Sequence, residues 1–495
     1  MSALAARSTS NLDGPDDTVL ALSTMDKDPW GRVQPSLYET ARVLALAPDL
    51  PGREQRIDFI LAQQHPDGSW AEGPWAYRLI STLSCVDALI TLPPTDRSER
   101  VVPAVRSGLT ALRRCPTSVS NPDTAAAELI VPALVDKINE GLSLREPYDD
   151  CDTPTRVLLP KIYDTSLLDK CRALRTLPPK LRHTFEALVG HVPPPDDPPG
   201  LLGSSPAATA ARDPHNEELA AVGKRYGGLF PEAAPIVTFE RLWVLSAFLR
   251  VGGLSDDAMP IATRWIEKAH DPLGVRGAPD LPPDADDTGV ALHVSSMLGR
   301  PFDAAVLRAF ETPDHFACYV GEDSGSVTAN AHVLHGLVSY FQRCPARVAE
   351  YAHAVAKARA CLLDRQTADG GWTDKWHASP YYATAHCVAA LVAHGEDVRA
   401  LDRAAAWVTA SRRSDGGWGV WQTTAEETAY ALQVLLAANQ VDRKLAREAL
   451  HIFNEAGNDH PALWHDKTLY APVAIIDAEV LVTRQILETT LRSAP

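Results

Sequence analysis

Gln366-Thr-Ala-Asp-Gly-Gly-Trp372 recurs as Arg412-Arg-Ser-Asp-Gly-Gly-Trp418, and Gln64-His-Pro-Asp-Gly-Ser-Trp70 is a third copy far upstream. Each unit follows an apolar stretch with helical spacing, such as Val355 to Leu363 ahead of the first. The Asp-Gly pair suits a tight turn that ends a helix. The Trp is expected to pack its ring back onto neighbouring helices, a purely architectural task. Repeated helix–turn units predict stacked helix pairs, which can close into an α/α barrel and enclose a cavity.

Working outward, the rest of the chain also reads as helix after helix. Glu427 to Leu436 carries apolar residues at helical spacing, and strict alternation is scarce. The 39 prolines fall mostly between helices, as stops. His191-Val-Pro-Pro-Pro-Asp-Asp-Pro-Pro-Gly200 cannot be helical and reads as a loop or linker. The expected class is therefore all-α, with two helical domains, one holding the first tryptophan unit and one holding the other two. Residues 1 to about 15 are small, polar and without periodicity, and read as a tail.

Composition bounds the function. A length of 495 residues implies more than one domain. A formal net charge of -16 argues against a nucleic-acid partner, which needs concentrated Lys and Arg, while leaving room for a local basic patch. The eight cysteines are scattered without a Cys-x-x-Cys pair, the pattern of a reduced intracellular protein. The first residues lack the apolar core of a signal peptide, and no apolar run approaches the roughly 20 residues a membrane span needs. A cytoplasmic location with no transmembrane segment is expected.

The chemistry concentrates at Pro282-Pro283-Asp284-Ala285-Asp286-Asp287-Thr288-Gly289, between a Pro-rich turn and the apolar stretch Val290 to Leu298. The run should sit at a helix N-terminus. Three readings are open. Carboxylates there cap free N–H groups and meet the positive end of the dipole. They can also form a metal loop. Alternatively, crowding and burial raise a carboxyl pKa, so that one member stays protonated as a general acid. An acid able to protonate a carbon–carbon double bond needs a dry, aromatic-lined cavity. Trp243, Trp372, Trp376, Tyr381, Tyr382 and Trp418 are candidates to line it and stabilise a carbocation, each with packing as the alternative.

The run resembles the Asp-x-Asp-Asp motif of class II terpene cyclases, and the tryptophan units resemble that superfamily's QW repeats. Phe239-Glu-Arg-Leu-Trp243 is similar to a segment of copalyl diphosphate synthases. Asp374-Lys-Trp-His-Ala-Ser-Pro-Tyr-Tyr382 and Ala425-Glu-Glu-Thr-Ala-Tyr430 resemble the bacterial halimadienyl diphosphate synthase group, and Ser205 to Thr209 and Lys467 to Tyr470 also have counterparts. The matches run from Ser36 to Tyr470. The resemblance implies the βγ architecture of two α/α-barrel domains: residues 1–30 as tail and first β helix, 31–225 as γ, and 226–495 as β with the acidic motif.

It also implies roles. Asp286 matches the proton donor, and Asp284 and Asp287 the flanking carboxylates. His332, in Thr328-Ala-Asn330-Ala-His332, matches the acid's hydrogen-bond partner, with Thr328 in support; a satisfied core histidine is the alternative. Lys180 and Arg182 fall near a basic segment that meets the substrate diphosphate, and surface solvation competes for both. Glu128 matches the end of an acidic motif linked to Mg²⁺, although Asp123 is the sole upstream acid nearby. The implied reaction is bicyclisation of geranylgeranyl diphosphate with the diphosphate retained, for a downstream class I terpene synthase or phosphatase. Asp149-Asp150-Cys151-Asp152 lacks the Asp-Asp-x-x-Asp spacing that would ionise the diphosphate.

One departure stands out. Glu186 and Glu232 occupy the places where plant ent-copalyl enzymes carry a terminating His–Asn pair, so a product other than ent-copalyl diphosphate is expected. Two rivals remain: a drimane-forming cyclase acting on farnesyl diphosphate, and a non-catalytic α/α-barrel prenyl-binding module.

Overall fold

A computed structural model describes residues 17–96, 99–116, 124–144, 156–158, 160, 162–196, 200–322, 325–395, 398–457 and 460–493. The expected N-terminal tail, Asp123 and the run Asp149–Asp152 lie outside them. The described chain is mostly helical, as expected. After α1 (Asp17–Lys27) come α2 (Leu37–Leu46), α3 (Arg53–Ala62), α4 (Trp75–Thr91), α5 (Val101–Arg114), α6 (Ala127–Leu144), α7 (Ser166–Arg172), α8 (Pro206–Arg212) and α9 (Glu217–Arg225). The second half holds α10 (Val237–Phe248), α11 (Met259–Ala269), α12 (Ala285–Met297), α13 (Val327–Arg343), α14 (Val348–Asp364), α15 (Pro380–His394), α16 (Val398–Ala410), α17 (Ala425–Ala437), α18 (Arg443–Glu455) and α19 (Val473–Ser493). One small antiparallel ribbon pairs β1 (Trp464–His465) with β2 (Leu469–Tyr470).

Two large apolar cores account for this order. One collects buried residues between Tyr38 and Ala208. The other runs from Leu242 to Leu487 and includes Leu22 and Met25 of α1. Helix α1 thus packs with the second half of the chain: Trp265 and Arg264 of α11 both hydrogen-bond Asp26, at 2.8 and 2.6 Å. A smaller apolar group, including Val43, Leu201, Leu219 and Phe230, bridges the segments on either side of residue 225.

The tryptophan units explain how the helix pairs stack. Trp70, Trp372 and Trp418 are fully buried, and each indole N–H donates at 2.7 Å to a helix carbonyl ten residues earlier: Ile60, Leu362 and Val408. Each Trp backbone N–H is held by a threonine of the next helix, Thr82, Thr384 or Thr428. Gln64 and Gln366 span the turn identically, donating to the Gly68 and Gly370 carbonyls and to Ala104 and Ala400 of the following helix. Gly370 has φ +108°, and a Cβ there would lie 2.4 Å from the Arg403 carbonyl oxygen. Both the positive φ and the close approach demand glycine. The units are hydrogen-bonded clamps between successive helices.

Candidate active site

The acidic run begins α12, and its first member does what helix chemistry asks. Asp284 is the N-cap, extended at φ -136° and ψ 164°, and its carboxylate accepts from the Asp287 N–H at 2.7 Å. Such a cap contributes about 1 kcal/mol. The Thr288 hydroxyl and the Asp284 backbone N–H tie the turn to Val275, and Ala285 N–H donates to the Cys318 carbonyl. The capping reading is therefore correct for Asp284 and leaves Asp286, the second residue of the first turn, free of that task.

Asp286 points at α13. His332 Nδ1 stands 2.5 Å from Asp286 Oδ1, and both side chains are largely buried. Asp287 is pushed well above the usual carboxyl range by burial, with the charge and hydrogen bond of Asp284 adding to it. Burial also raises Asp284, to about 7, with the neighbouring Asp286 charge as a lesser cause. The pair beside Asp286 thus holds a proton at neutral pH and spares Asp286 two adjacent negative charges.

Aromatic rings cover this pair. Trp243 meets the His332 ring edge-on, centroids 5.3 Å apart, and its indole N–H donates to the Tyr382 hydroxyl at 3.1 Å. Phe239 lies one turn before Trp243 on α10, at 4.5 Å. Tyr382 stacks on His377 at 4.7 Å and meets Trp464 and Tyr430 edge-on. Trp376 faces Tyr319, which senses the charges of Asp284 and Asp287, and takes Lys375 over its ring at 4.9 Å.

Some expected lining residues are elsewhere. Trp372 and Trp418 are committed to the clamps. Tyr381 packs on Trp407 and donates to the Ser411 carbonyl, on the far side of α15 from Tyr382. Adjacent helix positions point about 100° apart, so the two tyrosines cannot share a face. Thr328 also needs correction: its hydroxyl donates to Asp374 Oδ2 at 3.0 Å, not to the acid pair. Asp374 Oδ1 accepts from Val327 N–H and Ser326 Oγ as well, so this cluster fastens the start of α13 and acts on His332 only through the helix.

The cations lie across the junction of the two cores. Lys180 pairs with Glu322 at 3.3 Å and Arg182 with Asp280 at 2.8 Å; Lys375, which sequence reading passed over, reaches Glu322 at 3.6 Å. Asp280 and Glu322 flank Asp284 and Tyr319 in sequence, so these basic groups border the acid's neighbourhood. Glu128 is exposed on the first turn of α6. Among the described residues, no group of three or more His, Cys, Asp or Glu is placed to hold a metal ion.

Glu186 and Glu232 enter a buried cluster around Lys467. The Lys467 ammonium contacts Glu39, Glu186 at 3.0 Å and the Ser205 hydroxyl at 2.7 Å. Glu232 is saturated, accepting from Ser36 and from the N–H and hydroxyl of Thr468. Glu186 accepts from Tyr38 through Oε1, while its buried Oε2 has no partner.

His377, His386, Tyr430 and Trp464 were missed in the sequence. The available signal was the i, i+4 spacing of Tyr382 and His386 on one helix, which places both on the face carrying the acid's surroundings.

Comparison with known proteins gives four findings. Residues 322–473 match the family model described as the squalene-hopene cyclase C-terminal domain. The chain is 47% identical to a copalyl diphosphate synthase from Streptomyces anulatus, covering 94% of this chain and 91% of that one. It is 44% identical to the labda-7,13-dienyl diphosphate synthase of Streptomyces clavuligerus, covering 95% and 92%. The solved ent-copalyl diphosphate synthase of Streptomyces platensis superposes with a TM-score of 0.87 at 36% identity, covering 94% and 98%.

Proposed function

The chain belongs to the class II diterpene cyclases, the family of copalyl and labdadienyl diphosphate synthases, and on that footing we propose that Asp286 is the acid that starts its reaction. The family reaction is protonation-initiated bicyclisation of geranylgeranyl diphosphate, with the diphosphate kept; a non-catalytic prenyl-binding role does not fit. One observation carries the assignment: the Asp286–His332 contact of 2.5 Å beside Trp243. An Nδ1–H from His332 to Oδ1 stabilises the carboxylate that proton transfer leaves behind, which strengthens the acid. The faces of Trp243, Tyr382 and Phe239 supply π density for the cation, and their bulk excludes water.

The finer assignments are part of the same proposal. Residues 31–225 form the γ domain and 226–495 the β domain, completed by α1, a division supported by the separate cores. Lys180, Arg182 and Lys375 receive the diphosphate by exchanging Glu322 and Asp280 for it. Mg²⁺ with Glu128 as a ligand stays a proposal without a built site, and no step is routed through it; chelator titration of turnover tests it. The product is a labdane-, halimane- or clerodane-type diphosphate other than ent-copalyl, passed to a downstream class I synthase or phosphatase in the cytoplasm. No helix among the described residues is long and apolar enough to cross a membrane.

The test is incubation of the protein and its Asp286→Asn variant with geranylgeranyl and farnesyl diphosphate in parallel, with products identified by mass spectrometry and NMR. A bicyclic diterpenyl diphosphate is expected from the native protein, and none from the variant. Full activity in the variant refutes the acid; a drimane skeleton as main product moves the substrate to farnesyl diphosphate.

A further inference from the structure

His386 lengthens the acid's hydrogen-bond chain by one residue. Its Nδ1 lies 2.7 Å from His332 Nε2, the ring nitrogen opposite the one that meets Asp286. The two imidazoles are nearly perpendicular, at 87°, with centroids 4.6 Å apart. The remaining nitrogen of His386, Nε2, is buried without a partner.

Two imidazole nitrogens in hydrogen-bond contact share one proton, so one ring donates and the other accepts. The surroundings of His386 decide which. Facing it are His332 from α13, Tyr382 on its own helix with ring centroids 4.4 Å apart, and Tyr430 from α17 at 5.9 Å. Arg250 adds positive potential. None of these neighbours is a carboxylate. Burial and this field hold His386 well below the ordinary histidine range, hence neutral.

A neutral His386 has two tautomers. With its proton on Nε2 it would bury an unpaired N–H donor. With its proton on Nδ1 it donates to His332 and leaves a bare lone pair at Nε2. Orphaned buried donors are the rarer of the two in folded chains, as the backbone census shows, which favours the second form. The choice propagates. If His332 Nε2 accepts, a neutral His332 carries its proton on Nδ1 and donates to Asp286 Oδ1. In the opposite arrangement a bare Nδ1 stands 2.5 Å from the acid and ties up its proton.

We propose that His386 is a positioning residue: it donates Nδ1–H to His332 Nε2, fixes His332 as the Nδ1–H tautomer, and so keeps the transferable proton of Asp286 on Oδ2. The inference rests on Asp286 being the acid.

Two measurements test it. The first uses ¹⁵N-histidine-labelled protein without substrate, because ¹⁵N shifts separate protonated from bare ring nitrogens. His332 should show a protonated Nδ1 and a bare Nε2; a protonated Nε2, in a neutral or cationic ring, overturns the proposal. The second compares His386→Asn with His386→Phe. The Asn amide can still donate to His332 and the Phe ring cannot. Asn should keep kcat within about threefold, and Phe should lose about tenfold to a hundredfold in kcat, with KM changed less than about twofold. Equal losses in both variants, or no loss in Phe, overturn it. Full turnover by Asp286→Asn would sink the acid assignment instead, and leaves the tautomer measurement readable by itself.

Discussion

Gly336 of α13 lies so close to Gly289 of α12 that a Cβ at position 336 would stand 2.6 Å from the Gly289 carbonyl oxygen. The contact is reciprocal, since a Cβ at 289 would come within 2.8 Å of the His332 carbonyl carbon and of the Val333 nitrogen. The two helices meet backbone to backbone one turn from the Asp286–His332 bond. Gly289→Ala should therefore part α12 from α13 at the acid. Overpacking of this kind costs about 1–3 kcal/mol. We expect a lower Tm and a kcat reduced by about tenfold or more; a variant with wild-type kcat would show that helix spacing does not control the acid.

The clamps should behave as architecture. Trp372→Phe keeps most of the ring and removes the donor to the Leu362 carbonyl, leaving that buried acceptor unpaired at a cost of about 1–3 kcal/mol. Denaturant unfolding should register that loss while the product spectrum stays the same. A changed product ratio would return Trp372 to the cavity lining.

Stability should fall as pH rises from about 6.5 towards 8.5. Burial raises Glu232, Glu240 and Asp284 to about 7 and Glu426 to about 8. These groups are neutral in the fold while their unfolded counterparts, with ordinary pKa near 4, are already ionised. Their stabilising contribution is complete below pH 4 and is lost as pH climbs through the folded values. Buried His377 and His335, depressed to about 3 and 4, have the opposite slope. Their contribution is present above the unfolded value near 6.5 and lost below it, so they offset the carboxyls only on the acid side. Thermal melts across this window should show a falling Tm with a shallower fall in Glu426→Gln; a flat or rising Tm contradicts the assignment.

Glu186 and Glu232 should separate in the product assay. Glu186 Oε2 retains a lone pair beside the Lys467 cation, whereas both Glu232 oxygens are engaged. If Glu186 accepts the terminal proton, Glu186→Gln shifts the product towards other alkene isomers or hydroxylated diphosphates at modest cost in Tm. Glu232→Gln should lower Tm and leave the product ratio alone. The reverse outcome would exchange the two roles.

Local chemistry made a good part of this molecule legible from its order of residues. The Asp-Gly-Gly-Trp units, the prolines between apolar runs and the N-terminal position of Asp284 each act within a few residues of chain, through turn geometry, missing N–H groups and free helix-end donors. They suffice for an all-α fold and for α12 beginning at the acidic run. His332 was reached through the family resemblance of the segment Thr328 to His332, yet Thr328 itself turned out to serve Asp374. Which of two adjacent tyrosines lines the site and that His386 stands behind His332 were decided only when α13, α15 and α17 packed, and which of two glutamates keeps a free oxygen only when Ser36, Tyr38, Lys467 and Thr468 closed around them. Those distinctions depend on side-chain direction to within a fraction of a helical turn and on partners 46 to 281 residues away. Such contacts arise from burial of whole helix faces, and no short stretch of sequence encodes them.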